Sequence, residues 1–297
     1  MKIVISIFCL AREIDELERT VTQLRNNIPY LENPDEWYLD VKLNVSDDMV
    51  IWNESSLPKE YFIEKFKTIG KHCGFKNAVF KITDKIKGCV SQRADTLKIY
   101  NTADYFIWLD TDIIFCDRTL AYFKTAIQQT MEKYPYSIIT PEIVRVWDST
   151  WDCLVHDDFI NKPLDYQKTN NPYIDSGIKG NITIETVHNT IKNQPTFKFA
   201  GGWFTCISGK LLRRIGVPTS LGHYGLEDTF IMYGAEKLAR LNRINPYQFK
   251  LKGLIVCENY LYRDSKYITN NLKSIDRRDE FKKIAYQHFQ QELNNLN

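Results

Sequence analysis

The sequence of 297 residues holds no stretch near the roughly 18–20 unbroken apolar residues that a bilayer span requires, so no membrane span is expected. Its seven cysteines (Cys9, Cys73, Cys89, Cys116, Cys153, Cys206 and Cys257) form no CxxC pair and are odd in number. That argues against a disulfide framework or a zinc ribbon and fits a reducing cytosol. There is no GxxxxGK[ST] phosphate loop, no GxGxxG dinucleotide fingerprint, no HExxH helix and no GxSxG elbow. The five histidines (His72, His156, His188, His223 and His288) show no ligand spacing. Internal repeats and low-complexity tracts are absent, and an aromatic content of 13% with continuous apolar patterning excludes disorder. What remains is an ordinary globular chain of one large domain or two small ones, long enough to bury about three quarters of its unfolded surface.

The net charge of +2 is unevenly spread. Residues 1–150 hold 19 basic and 22 acidic side chains, whereas 197–283 hold 16 basic and 8 acidic. A basic second half attracts an anionic partner; a solvated surface gives the same pattern. At the N-terminus, Lys2 followed by an Ile/Val-rich run could open a signal peptide. The small-residue cleavage site is poor, though, and Arg12-Glu13 follows at once, so a buried strand and a cytoplasmic protein are expected. The sequons at Asn44, Asn53 and Asn181 are then chance matches.

Strand and helix patterns alternate through the first half. Strands are expected over 3–11, 37–45, 76–82 and 105–109, and helices over 13–27, 58–73 and 91–102, the last capped by Ser91. This order implies a mostly parallel sheet covered by helices, with ligands at the C-terminal ends of its strands. Asp47, Asp48, Asp110 and Asp112 fall at such ends. Residues 145–196 are polar, rich in Asn, Asp, Trp and Tyr, and read as an insertion or long loop; Trp147, Trp151 and Tyr173 there could stack on a base or a sugar. Further on, a strand with a glycine pair is expected over 197–209, helices over 210–215 and 227–243, a strand over 251–262, and an amphipathic helix from 274 with Phe281, Ile284 and Leu293 inward.

Two segments carry chemistry. Asp110-Thr111-Asp112 follows five apolar residues and precedes three more. Two carboxylates at i and i+2 there can hold a hard divalent cation together with phosphate oxygens. A turn with two solvated acids is the plain alternative. Gly201-Gly202-Trp203 precedes Gly225-Leu226-Glu227-Asp228. Paired glycines allow a close backbone approach to a ligand, while Glu-Asp at a helix start is also an ordinary dipole-favoured pair.

Together these segments resemble the metal-dependent nucleotide-sugar glycosyltransferases of the GT-A fold, nearest the family-2-like group with a Gly-Gly…Glu-Asp segment. The likeness spans about 2–120 and 197–240. It implies a GT-A type, Rossmann-like mixed α/β sheet, mostly parallel and flanked by helices. The whole is then a single domain, with a nucleotide-sugar-binding half (1–120), an acceptor-binding half (121–297) and 145–196 as the insertion. By resemblance, Ser6 (in Ile5-Ser6-Ile7) and Asp47 or Asp48 contact base and ribose, and Arg93, beside Gln92, faces the nucleotide. Gly201 and Gly202, with Trp203, pack against the donor sugar, and Asp110 bonds the ribose or sugar. Asp112 and Asp110 bind Mn²⁺ or Mg²⁺. Relatives often add a His from a late strand; here that strand offers Glu258 and Asn259, with His223 and His288 as other candidates, and Glu258 is the expected further ligand. Asp228 is the expected base and Glu227 the residue that orients the acceptor.

The implied activity is inverting transfer of a sugar from a nucleoside diphosphate sugar, UDP-linked in the nearest case, to an acceptor hydroxyl. The acceptor would be a glycan or lipid-linked saccharide, hydroxymethylated DNA of the phage type, or a protein side chain. Sugar nucleotidyltransferases share the sheet and the acid pair but usually carry a Gly-rich, Arg-containing first loop, and residues 9–13 hold no glycine. A non-catalytic nucleotide-sugar binder is the remaining alternative.

Overall fold

The run Ile3–Leu10 forms strand β1, and its side chains are buried on both faces apart from the partly covered Phe8. Such two-sided burial is how Ile/Val-rich parallel strands come to read as continuous apolar runs. The computed structural model describes residues 1–47, 57–145, 149–164, 166–188, 202–259 and 278–297. Around β1 stand α1 (Ile14–Asn27), β2 (Trp37–Asn44), α2 (Lys59–Lys71), β3 (Asn77–Thr83), α3 (Cys89–Ile99) and β4 (Tyr105–Leu109). Strands β3, β2, β1 and β4 are parallel in that spatial order. Helix α1 presents Ile14, Leu17, Val21 and Leu24 inward, as its 3.6-residue spacing requires.

Beyond β4 the chain continues through β5 (Ile113–Ile114), α4 (Thr119–Thr130) and β6 (Ser137–Ile143). Two single-turn helices follow, α5 (Tyr166–Thr169) and α6 (Pro172–Asp175), then β7 (Gly177–His188), β8 (Phe204–Ser208), α7 (Gly209–Ile215), α8 (Glu227–Arg240) and β9 (Tyr247–Glu258). The C-terminal helix is Arg278–Asn295. Strand β8 runs antiparallel to both β4 and β6, β9 is parallel to β6, and β7 and β5 are antiparallel to β9. The result is one mixed, mostly parallel nine-stranded sheet flanked by helices, the architecture expected from the sequence.

Several expectations are corrected. The region 145–196 is no plain loop, because β7 occupies twelve of its residues and pairs with β9. Its signal was the alternation Ile182-Thr183-Ile184-Glu185, hidden in polar surroundings. Strand β9 starts at Tyr247 rather than 251 and bulges at Gly253, whose φ is +83°. Helix α3 starts at Cys89, and Ser91 does not cap it; its Oγ donates to the Gly222 carbonyl at 3.2 Å. Gly88, just ahead of α3, is required by space, since a Cβ there would lie 1.8 Å from the His223 carbonyl oxygen.

The C-terminal helix buries Phe281 beside Leu10, with Phe8, Leu57, Tyr224 and Ile284 around them, and so covers the C-terminal end of β1. At its other end Lys237 Nζ donates to the carbonyls of Leu293 (2.9 Å) and Asn294 (2.7 Å), and Arg214 Nη2 to that of Asn297 (2.7 Å). Cations suit a helix C-terminus. Part of the excess positive charge of 197–283 is therefore spent inside the fold.

Candidate active site

Arg93 is the centre of the site. Arg93 on helix α3 is 6% exposed, its guanidinium 4.5 Å above the ring of Trp108 on β4. One terminal nitrogen donates to Glu227 Oε1 at the start of α8. The other donates to Asp110 Oδ1 (3.1 Å) and to the Gly202 carbonyl (2.9 Å). Burial works against the charge, but Glu227 and Asp110 outweigh it and hold the guanidinium protonated. A Cβ on Gly202 would fall 2.3 Å from Arg93 Nη1, so a side chain there would push the guanidinium off its partners. Antiparallel pairing of β4 with β8 brings this glycine alongside, and the Asp110 amide donates to the Trp203 carbonyl at 2.9 Å.

The acidic pair at the start of α8 divides its duties. Leu226, the N-cap, has φ +65°, a left-handed conformation that a branched side chain adopts only at a cost. Glu227 then turns inward to Arg93 and is 4% exposed, with Oε2 buried and no hydrogen-bond partner for it among the described residues. Burial raises its pKa, with Asp228 adding to the rise and Arg93 opposing it. Asp228, one position on, accepts from the Gly202 amide through Oδ2 (2.9 Å) and from the Thr229 amide (2.6 Å) and hydroxyl (3.2 Å) through Oδ1.

The Asp110-Thr111-Asp112 turn leaves β4 with the Asp110 side chain 50% exposed. Loss of hydration among densely packed neighbours nevertheless pushes its carboxyl well above the usual range; Arg93 opposes this, and Asp112, Glu227 and Glu13 reinforce it. The turn is fastened from behind. Arg19 and Thr20 of α1 donate to the Thr111 carbonyl (3.0 and 2.6 Å), and Arg19 also reaches the Ile113 carbonyl (2.9 Å). The Asn259 amide donates to the Asp112 carbonyl (2.7 Å). Arg19, Thr20 and Trp108 were not singled out by sequence reasoning, because an arginine, a threonine and a tryptophan in regular elements carry no local signal.

Other expected residues make other contacts or fall outside the described residues. Ser6 is buried on β1, its Oγ 3.3 Å from Thr96 Oγ1 of α3. The Asp47 side chain is 87% exposed, 3.8 Å from Lys59 Nζ. Asp48, Gly201 and Trp147 fall outside the described residues, as does the side chain of Trp151. Trp203 is buried in the core beside Gly202, and Tyr173 is exposed on α6. His223 lies against Phe281, with rings 5.1 Å apart, and His288 is on the C-terminal helix.

Glu258 is buried on β9 opposite Ile113. Among the described residues no three His, Cys, Asp or Glu side chains gather where a cation could be held, so Asp110, Asp112 and Glu258 do not form a ready-made triad. Two carboxylates are still the donor set of a hard cation completed by water and phosphate oxygens. The Asp110 carboxylate stands half exposed at this turn, with Oδ1 accepting from Arg93. On that chemistry the residues fit a divalent cation that arrives with a diphosphate.

The fold and this convergence define an α/β protein whose candidate site lies where β4 ends against β8 and α8. No protein-family model and no curated protein matches the sequence. Solved structures match in shape. S. aureus TarS 1-349 superposes with a TM-score of 0.50 at 13% identity, over 99% of this chain and 74% of that one. The same protein in complex with UDP-GlcNAc gives 0.50 and 13%, over 100% of this chain and 68% of that one. Against a longer S. aureus TarS structure the TM-score is 0.45 at 16% identity, with 85% of this chain covered, and the chain spans 37% of that structure's length. At such identities the likeness is one of fold.

Proposed function

We propose that the chain is a nucleotide-sugar glycosyltransferase that moves a sugar from a nucleoside diphosphate sugar, UDP-linked by preference, to an acceptor hydroxyl with inversion. The observation that carries this reading is the meeting of Asp110, Gly202 and Glu227 on the single guanidinium of Arg93, although these residues come from three distant parts of the chain. The TarS structure of the same fold holds UDP-GlcNAc, a ligand of the proposed donor class.

Asp112 and Asp110 would hold Mn²⁺ or Mg²⁺, which when bound neutralises the charge of a departing diphosphate. Asp228 is the proposed base. A carboxylate offers about four acceptor sites, and the hydrogen bonds of Asp228 to Gly202 and Thr229 fill three of them while fixing its orientation. The acceptor hydroxyl oxygen bonds to the anomeric carbon, the bond from that carbon to the diphosphate breaks with its electron pair staying on phosphate oxygen, and the hydroxyl proton passes to Asp228. Glu227, turned toward Arg93, is better suited to hold that guanidinium than to touch the acceptor. Arg93 in turn positions the Asp110 carboxylate and the Gly202 peptide around the donor.

A saccharide, free or lipid-linked, is the proposed acceptor. The DNA reading loses support from the basic side chains of α7 and α8 that are engaged by internal carbonyls. A panel of nucleotide sugars assayed for donor hydrolysis with Mn²⁺, followed by mass spectrometry of acceptors, tests the proposal. Asp112→Asn abolishes metal-dependent turnover, whereas Asp228→Asn keeps donor binding and loses transfer, by about 10²–10⁴-fold for a lost general base. Full transfer by Asp228→Asn removes it as base, and a product of retained configuration removes single displacement.

A further inference from the structure

Three consecutive carbonyls of the acid turn, those of Thr111, Asp112 and Ile113, accept hydrogen bonds from outside the turn. A guanidinium has five N–H donors in a rigid fork, and Arg19 commits four of them to hydrogen bonds while pairing with Glu16 as an ion. Nε donates to Glu16 Oε2 (2.8 Å), Nη1 to Gln23 Oε1 (2.6 Å) and the Ile113 carbonyl (2.9 Å), and Nη2 to the Thr111 carbonyl (3.0 Å), with Nη2 also lying 2.7 Å from Glu16 Oε2 in an ion pair. The same Glu16 oxygen accepts from Asn259 Nδ2 (3.1 Å), and the Asn259 backbone amide donates to the Asp112 carbonyl (2.7 Å). Arg19, Glu16 and Asn259 thus close a circuit around the backbone that carries Asp112, gripping it from α1 on one side and from the end of β9 on the other.

We propose that Arg19 is a positioning residue that fixes the aim and separation of the Asp110 and Asp112 carboxylates, and so sets the affinity of the site for a divalent cation with a nucleoside diphosphate. The inference rests on the reading of this turn as the diphosphate end of the site. Rotation of the peptide planes on either side of Asp112 would swing its carboxylate. Arg19 holds the carbonyl of the peptide before Asp112 and that of Ile113 one peptide further on, a span suited to its rigid fork, while the Asn259 amide holds the carbonyl of Asp112 itself. It touches no reacting group.

The test uses the full chain and Mn²⁺ with UDP as probe, followed by electron paramagnetic resonance titration of free Mn²⁺, with thermal unfolding measured in parallel. Arg19→Met weakens Mn²⁺ binding in the presence of UDP by roughly 10–100-fold, the usual effect of removing an outer-shell partner. Arg19→Lys gives an intermediate loss. Thr20→Val, which deletes one of the two bonds to the Thr111 carbonyl, gives a smaller one. Arg25→Met, on the exposed face of the same helix, binds as the parent does. A folded Arg19→Met that matches the parent in Mn²⁺ affinity overturns the inference while leaving the site reading intact. If Arg19→Met does not fold, parental affinity in both Arg19→Lys and Thr20→Val overturns it equally. A parent chain that binds no Mn²⁺ with UDP removes the site reading and the inference together.

Discussion

Arg93 shows how one side chain makes a site out of distant segments. Its charge is buried, and a buried cation is tolerable only with good partners, so loss of either carboxylate leaves an expensive residue behind. The carboxylates bear the complementary burden, since Asp110 and Glu227 are both displaced above the usual range, first by desolvation, with Asp112 and Glu227 adding to the rise at Asp110 and Asp228 to that at Glu227. A carboxyl whose pKa rises on folding holds its proton longer in the folded chain than in the unfolded one. Its favourable contribution is complete below the ordinary value of about 4 and is lost as pH climbs through the raised value. Asp110→Asn cannot ionise and still accepts from Arg93, so in EDTA its Tm relative to the parent increases from pH 5 to pH 8. A Tm difference that does not change with pH, measured by scanning fluorimetry, contradicts the assignment.

At the scale of elements, function depends on where helices begin and end. The left-handed Leu226 starts α8 so that successive residues, about 100° apart around the axis, send Glu227 to Arg93 and Asp228 to Gly202. The loop before it is covered by the C-terminal helix. A Cβ on Gly225 would meet Lys282 Cγ at 3.1 Å, and one on Gly222 would meet Ile284 Cγ2 at 3.2 Å. Phe281 anchors that helix, so Phe281→Ala costs about 3–5 kcal/mol and lowers Tm by several degrees. It also raises the donor KM, because the loop leading to Glu227 loses its cover. Thermal unfolding and donor-hydrolysis kinetics read the two effects, and a lowered Tm with an unaltered KM separates the helix from the site.

For the whole molecule, a parallel half-sheet ends against an antiparallel strand, and the acids stand at that seam. No helix of the described residues is long and apolar enough to cross a membrane. Thermal-shift measurement separates the two enzyme readings: UDP with Mn²⁺ raises Tm more than UTP with Mn²⁺ does for a glycosyltransferase, and the reverse order indicates a nucleotidyltransferase. Much of this architecture was legible in the chain. Apolar runs buried on both faces announced β1 and β4, and periodic Ile14, Leu17, Val21 and Leu24 announced α1, because burial and spacing are local properties. The acid turn and the Glu-Asp helix start were legible for the same reason. The weakly alternating β7, half exposed at the side of β9, was not. By itself, then, the sequence determined which segments become strands and helices and which carry acids, since those follow from neighbouring residues. Only the tertiary structure decided that Arg93 joins Asp110 to Glu227, that Glu227 faces inward, and that Arg19 grips the acid turn. Each of these is a hydrogen bond or ion pair between side chains and backbone far apart in the chain, and its geometry exists only once the sheet has closed.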